Sequence, residues 1–202
     1  IYDNNYYDVR NNSQYNDIDA RFNWWGTTTT ATMDAGSNPK DISKIYDYYD
    51  DNSLGTVNYA GWLSEAGGDP PATTMLGTVL LTNSSGTEQL NFPADSALYI
   101  RVTDSDRNTN SGTAETITAT ASSETETTAE TVTLTETGAN TGIFMGSITF
   151  AVAAASNGDG VLQVTRGDKL TGLYTDPADD YGNQTTVTDV AFYAVTLTTG
   201  SL

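Results

Sequence analysis

Beyond Met75 the chain alternates apolar and polar residues with a period of two, in short runs separated by Gly, Asn and Asp. That period fits a pleated strand with one buried face. The clearest run is Leu98-Tyr99-Ile100-Arg101-Val102-Thr103, with Leu98, Ile100 and Val102 on one side. The same reading marks candidate strands at Thr78–Leu81, Leu98–Thr103, Thr116–Ala121, Thr131–Thr135, Gly142–Phe150, Val161–Thr165, Lys169–Tyr174 and Val187–Leu197. Short strands at this spacing, with turn residues between them, predict an all-β fold of the sandwich type.

At Thr103 the alternation gives way to a loop dense in oxygen side chains: Asp104, Asp106, Asn108 and Asn110, with Glu115 a little further on. Carboxylates gathered at a strand end repel one another unless something positive neutralises them, and a hard cation such as calcium binds such oxygens. The five residues fall at the ligand positions of an EF-hand-like loop. Thr109 stands where that loop requires Gly, and the preceding segment reads as strand, so this does not read as a true EF-hand. One expectation is a calcium site on a sandwich loop, with Asp176 or Asp179 as helpers from another loop. The competing reading is a solvated Asx-rich turn that binds nothing. The stretch from Asp176 to Asn183 reads as a second polar turn, and Asn157-Gly158-Asp159-Gly160 as a hairpin signal.

Composition narrows the function classes. The 202 residues carry 26 acidic and 8 basic side chains, a net charge of -18. Nucleic acid and anionic membrane surfaces both require clustered Lys and Arg, so neither is an expected partner. There is no Cys and no His, which excludes disulfides, zinc–thiolate sites and Ser-His-Asp or Cys-His machinery within the chain. No apolar run is long enough to span a bilayer. The Thr- and Tyr-rich composition reads as extracellular, and the opening Ile1-Tyr2-Asp3-Asn4 as that of a mature or fragmentary chain.

Residues 1–66 differ in texture. They hold all three Trp, and their opening mixes short apolar alternation with Asn, as solenoid coils do at their turns. Ile18-Asp19-Ala20-Arg21-Phe22-Asn23-Trp24-Trp25-Gly26 resembles the C-terminal end of right-handed parallel β-helix proteins of the pectate-lyase-like type. That resemblance implies a following helix, a place that Pro39 to Asp50 fills with Ile42, Ile45, Tyr46 and Tyr49 at helical spacing, and then a tail at Val57–Leu63. It also implies a solenoid end, whose exposed bore needs a cap of bulky side chains. Trp24, Trp25 and Trp62 suit that role, and the rival reading makes Trp24, Trp62 and the Tyr46, Tyr48 and Tyr49 cluster a sugar-binding platform.

Residues 67–75, rich in Gly and Pro, read as a linker. In residues 76–202 three stretches resemble immunoglobulin-like domains of archaeal and bacterial cell-surface proteins: Val102–Asn108, Leu134–Phe144, and Gly167–Leu170 with Tyr174–Pro177. That resemblance implies extracellular architecture and brings no activity. Lys169 raises the prospect of an isopeptide bond assisted by Glu136, against the simpler reading of a packed stem with its amine in solvent. Sequons at Asn11, Asn83 and Asn183, and the Thr tracts 27–32 and 116–135, are candidate glycan carriers. The expectation is a non-enzymatic structural protein of the cell surface. It would be a self-assembling filament, layer or adhesin-stalk subunit, joined by edge pairing and stiffened by calcium. The alternative is a carbohydrate-binding accessory module.

Overall fold

The computed structural model describes residues 1–68 and 75–194, so most of the expected linker and the last residues of the expected strand Val187–Leu197 lie outside the described residues. The chain divides into two compact units, Ile1–Thr74 with Ala178–Asn183, and Met75–Pro177 with Gln184–Leu202. Strands dominate, and the chain is all-β.

The first unit contains β1 (Val9–Arg10), β2 (Ile18–Asp19), α1 (Thr27–Asp34), β3 (Ile45–Tyr46) and β4 (Val57–Asn58). β1 pairs with β3 and β2 with β4, both in parallel. Its core gathers Ala20, Trp25, Met33, Ile42, Ile45, Val57 and Tyr59. Buried polar side chains hold the turns between these short strands. Asn11, 1% exposed, donates to Asn16 O and Thr56 O at 2.9 and 3.2 Å. Asp47 accepts from Val57 N at 2.7 Å and Tyr49 N at 3.0 Å.

The helix is not where the apolar spacing predicts it. Pro39 to Asp50 supplies β3 and tight turns instead, because the Asp47 carboxylate takes the backbone N–H of Tyr49 and Val57 and the Asp50 carboxylate that of Asp47, in competition with helical pairing. The observed helix spans Thr27–Asp34, four of whose residues are consecutive Thr, which are poor helix formers. Its end is held from outside. Lys40 Nζ donates to Thr32 O and Gly36 O, both at 2.7 Å. Asn38 Nδ2 meets Met33 O at 2.7 Å and Trp62 Nε1 meets Asp34 Oδ1 at 2.8 Å. Lys40 and Asn38 thereby satisfy carbonyls that a helix C-terminus leaves without partners, and Trp62 holds the side chain of the last helical residue.

The second unit contains β5 (Thr78–Thr82), β6 (Asn91–Phe92), β7 (Ala97–Thr103), β8 (Thr116–Ser123), β9 (Glu130–Glu136), β10 (Ile143–Ala151), β11 (Val161–Gln163), β12 (Lys169–Asp176) and β13 (Thr185–Tyr193). They form one nine-stranded sheet in the order β5-β7-β10-β9-β8-β12-β13-β6, with β11 beside β10. The sheet curls until β5 lies against β12 and β13. Leu81 N reaches Asp189 Oδ2 at 2.6 Å, and the Leu81 side chain fills the space over Gly172. The concave face is apolar, with Leu81, Phe92, Leu98, Ile100, Leu134, Phe144, Leu162 and Leu170 fully buried. The outer face of β8 and β9 pairs Thr with Thr, at 116 and 135, 118 and 133, 120 and 131. β-Branched side chains suit such a pleated surface.

Candidate cation site

The alternation that builds the curled sheet also decides where its carboxylates point. On β7 the inward residues Leu98, Ile100 and Val102 are followed in phase by Asp104, 2% exposed. On β9, Val132 and Leu134 are followed by Glu136, and on β12, Leu170 and Tyr174 are followed by Asp176, which is wholly buried. β7, β9 and β12 run in the same direction through the sheet, so all three carboxylates arrive at one end of it. Removing such a charge from water costs on the order of several kcal/mol unless partners satisfy it.

Glu136 is met by backbone donors, Thr141 N at 2.6 Å and Gly142 N at 2.8 Å. Asp176 accepts from Gly77 N at 2.6 Å. Asp104 accepts from the Tyr174 hydroxyl through Oδ2 at 2.6 Å, while its Oδ1 is buried without a hydrogen-bond partner. Gly77 fits against this group because it lacks a Cβ. A methyl there would stand 2.9 Å from Tyr174 Cε1, 3.2 Å from Asp104 Oδ2 and 3.3 Å from Asp176 Oδ2.

The loop after β7 begins with a 3₁₀ turn, Ser105–Arg107. Asp106, half-buried on that turn, has Met75 N at 3.4 Å from its Oδ1. Burial, and then the neighbouring Asp104 carboxylate, push its acid up to about 6. Burial and the bond to Asp104 likewise raise the Tyr174 phenol, which keeps that hydroxyl a donor. Asn108 Nδ2 donates to Asn140 Oδ1 at 2.8 Å, and Asn108 Oδ1 is buried with no partner. Asp104 Oδ1 and Asn108 Oδ1 are thus two buried oxygens of the same loop without a hydrogen-bond partner, and oxygens of this kind are what a calcium site requires. Among the described residues no group of three or more Asp, Glu, His or Cys side chains stands close enough to hold a metal by itself. A cation here would draw on the Asn108 amide, backbone oxygens and water as well.

The other expected ligands are turned to different work. Asn110 Oδ1 accepts from Gly112 N at 3.0 Å. Glu115 accepts from Thr109 N at 2.8 Å and from the Thr109 hydroxyl, and that hydroxyl leads the contacts holding its carboxyl below the usual range. Both side chains tie down the loop. Asp179 closes its own turn, accepting from Tyr181 N at 2.9 Å and Asn183 N at 3.0 Å. Asp176 does stand beside Asp104. Tyr174 and Gly77 were not anticipated from the sequence, although Tyr174 shares the inward phase of Leu170 and Asp176.

Trp25 is 1% exposed in the core of the first unit. Trp24 is half-buried against Tyr2, ring centroids 4.1 Å apart, and Trp62 packs on Tyr59 at 6.2 Å. Lys169 and Glu136 are not brought together. Lys169 is exposed near the end of β8 that pairs Ser123 with Leu170, whereas Glu136 lies beyond the Thr116–Thr135 pair at the other end. Roughly 20 Å of strand separates them. Of the sequons, Asn11 has its amide buried and bonded to backbone, which leaves a glycan no room in the folded unit. Asn183 Nδ2 donates to Asn38 O at 2.6 Å, and Asn83 Oδ1 organises a turn by accepting from Ser85 N at 2.9 Å. Thr29 and Thr30 of the first Thr tract are buried in α1.

Against known proteins, no family model matches the chain and no curated protein matches it.

Proposed function

We propose that this chain is an extracellular structural protein, a self-assembling subunit of a surface filament, surface layer or adhesin stalk, and not an enzyme. On this reading the first unit is the terminal part of a right-handed parallel β-helix, and the second is an immunoglobulin-like sandwich stiffened by calcium beside Asp104. The observation that carries the proposal is the repeated parallel pairing in the first unit. β1 and β3, then β2 and β4, stack in register, as successive coils of a solenoid do. Each of these strands has one strand partner among the described residues, and backbone groups on the opposite edge can pair with a neighbouring copy. A strongly acidic surface opposes such contact and makes it dependent on cations.

Sedimentation velocity over a range of chain concentrations, in calcium and in chelator, tests this reading. Growth in size with concentration, stronger in calcium, is expected. A monomer at every concentration in both buffers would reject it.

A second reading, a carbohydrate-binding module, is favoured by one feature. Tyr2, Asp3, Asp8, Trp24 and Lys44 line a cavity of about 410 Å³ in the first unit, with aromatic faces and polar groups of the kind that sugars use. Saturable binding on a glycan array, lost on Trp24→Ala, would favour this reading over assembly.

A further inference from the structure

We propose that Asn157 is a self-modification site, its side chain cyclising onto the Gly158 nitrogen, and that Glu130 is the positioning residue that restrains this reaction in the folded chain. The inference goes beyond the function proposed above and does not depend on it.

The stretch Asn157-Gly158-Asp159-Gly160 lies in the loop between β10 and β11. Those strands run parallel, so the loop is not the hairpin turn that its sequence suggests. Residues 152–160 are all exposed, and the Asn157 side chain makes no hydrogen bond among the described residues. Asn157 is the one Asn in the chain followed by Gly. Gly158 has φ +77°, and apart from its chain neighbours nothing stands within 4 Å of the point where its Cβ would be. Without that Cβ, the neighbouring side chain can approach the Gly158 nitrogen closely.

The reaction is intramolecular and consumes only water. The Gly158 nitrogen bonds to Asn157 Cγ and closes a succinimide ring. The bond from Cγ to Nδ2 breaks, and that nitrogen leaves as ammonia, carrying the proton that Gly158 gave up. Water then opens the ring at either carbonyl and yields aspartate or isoaspartate at position 157. Both products add a negative charge, and isoaspartate also adds a methylene to the backbone.

Glu130 opposes the first step. It opens β9 and is 2% exposed. Its Oε1 accepts from Gly158 N, and its Oε2 from Gly160 N at 3.0 Å. The proton that must leave is thus held by an anion, which also repels the negative charge that builds on the nitrogen as the proton departs. The bond to Gly160 fixes the turn, and Asp159 tightens it by accepting from Val161 N at 2.9 Å. Ring closure therefore waits for the loop to lift off Glu130. While the ring stands, Gly158 has no N–H to donate. After hydrolysis a new carboxylate stands near the buried one, and like charges there oppose the return of the loop.

The test incubates the full chain in warm, mildly alkaline buffer, folded and in urea. The peptide containing position 157 is followed by mass spectrometry and by labelling with an isoaspartate methyltransferase. Conversion is expected in urea, and at a slower rate in the folded chain. Glu130→Gln is expected to speed the folded rate roughly fivefold or more, because the charged acceptor is gone. Asn83, whose Oδ1 accepts from Ser85 N in the same unit, is the control, and its rate should not move. Hydrogen exchange in the parent chain is a second readout, with the Gly158 and Gly160 amides protected although their loop is exposed. It decides the matter if circular dichroism shows Glu130→Gln unfolded. An unchanged rate at Asn157 in that variant, equal acceleration at Asn157 and Asn83, or unprotected amides at Gly158 and Gly160 overturns the role of Glu130. Absence of isoaspartate at position 157 even in urea overturns the site itself.

Discussion

Gly146 sits where β10 changes partners, pairing with β9 at Phe144 and Met145 and with β11 from Thr149 onward. A Cβ on it would stand 2.2 Å from Thr133 O, a backbone atom fixed by the sheet. Gly146→Ala is expected to cost about 2 to 3 kcal/mol, read as a lower urea midpoint, and an unchanged midpoint would show that the strands are not so close. Asp106 makes a prediction of opposite character. Its acid stands at about 6 in the folded chain against an ordinary value of 3.8. Between those values the folded state keeps a proton that the unfolded chain has released, so in chelator stability falls as pH rises through that window. After allowance for the exposed part of the side chain the loss is about 1 kcal/mol. Calcium or Asp106→Asn should flatten the slope, as thermal midpoints from pH 4 to 7 would show, and a rise in stability across the window would contradict the account. Asp104 could be read from the sequence because it continues the phase of Ile100 and Val102. Gly77 could not, since its role is set by side chains a hundred residues away along the chain.

At the scale of elements, strands with several alternating residues stood out and short ones did not. β7, β8, β9, β10 and β12 carry enough residues for the period to be visible. β1, β2, β3, β4 and β6 have two residues each, too few to show any period. Helical spacing over Pro39 to Asp50 misleads for a related reason. Ile42 and Ile45 are both buried, as helical spacing would have them, but they line a core built from turns and a parallel pair. Meanwhile the Thr-rich α1 depends on donors from elsewhere in its unit, which no local propensity records. Lys40→Ala removes one of these donors from Thr32 O and Gly36 O, and is expected to cost about 1 to 2 kcal/mol. Guanidinium denaturation followed by tryptophan fluorescence would detect it, and no shift would mean that water replaces the ammonium without loss.

At the scale of the whole molecule, charge and edge pairing oppose each other. A chain with 18 net negative charges repels its copies over about a Debye length, and the edge pairing proposed for β1 and β2 has to overcome that repulsion. Screening by salt and neutralisation by calcium should both promote association, and calcium should do so at far lower concentration if it binds a specific site. Light scattering at matched ionic strength separates the two: equal effects of sodium and calcium salts would remove the specific site from the account. The all-β class and the acidic loop after β7 could be read from alternation and composition. The curl of the sheet, which brings β5 against β13 and Gly77 against Asp176, depends on contacts between distant strands that no local pattern encodes. On the function proposed above, this chain is a calcium-stiffened structural subunit. Negative-stain electron microscopy of the purified chain in calcium, then in chelator, tests it most directly. Ordered filaments or sheets that loosen in chelator are the predicted result, and single dispersed particles in both conditions would contradict it.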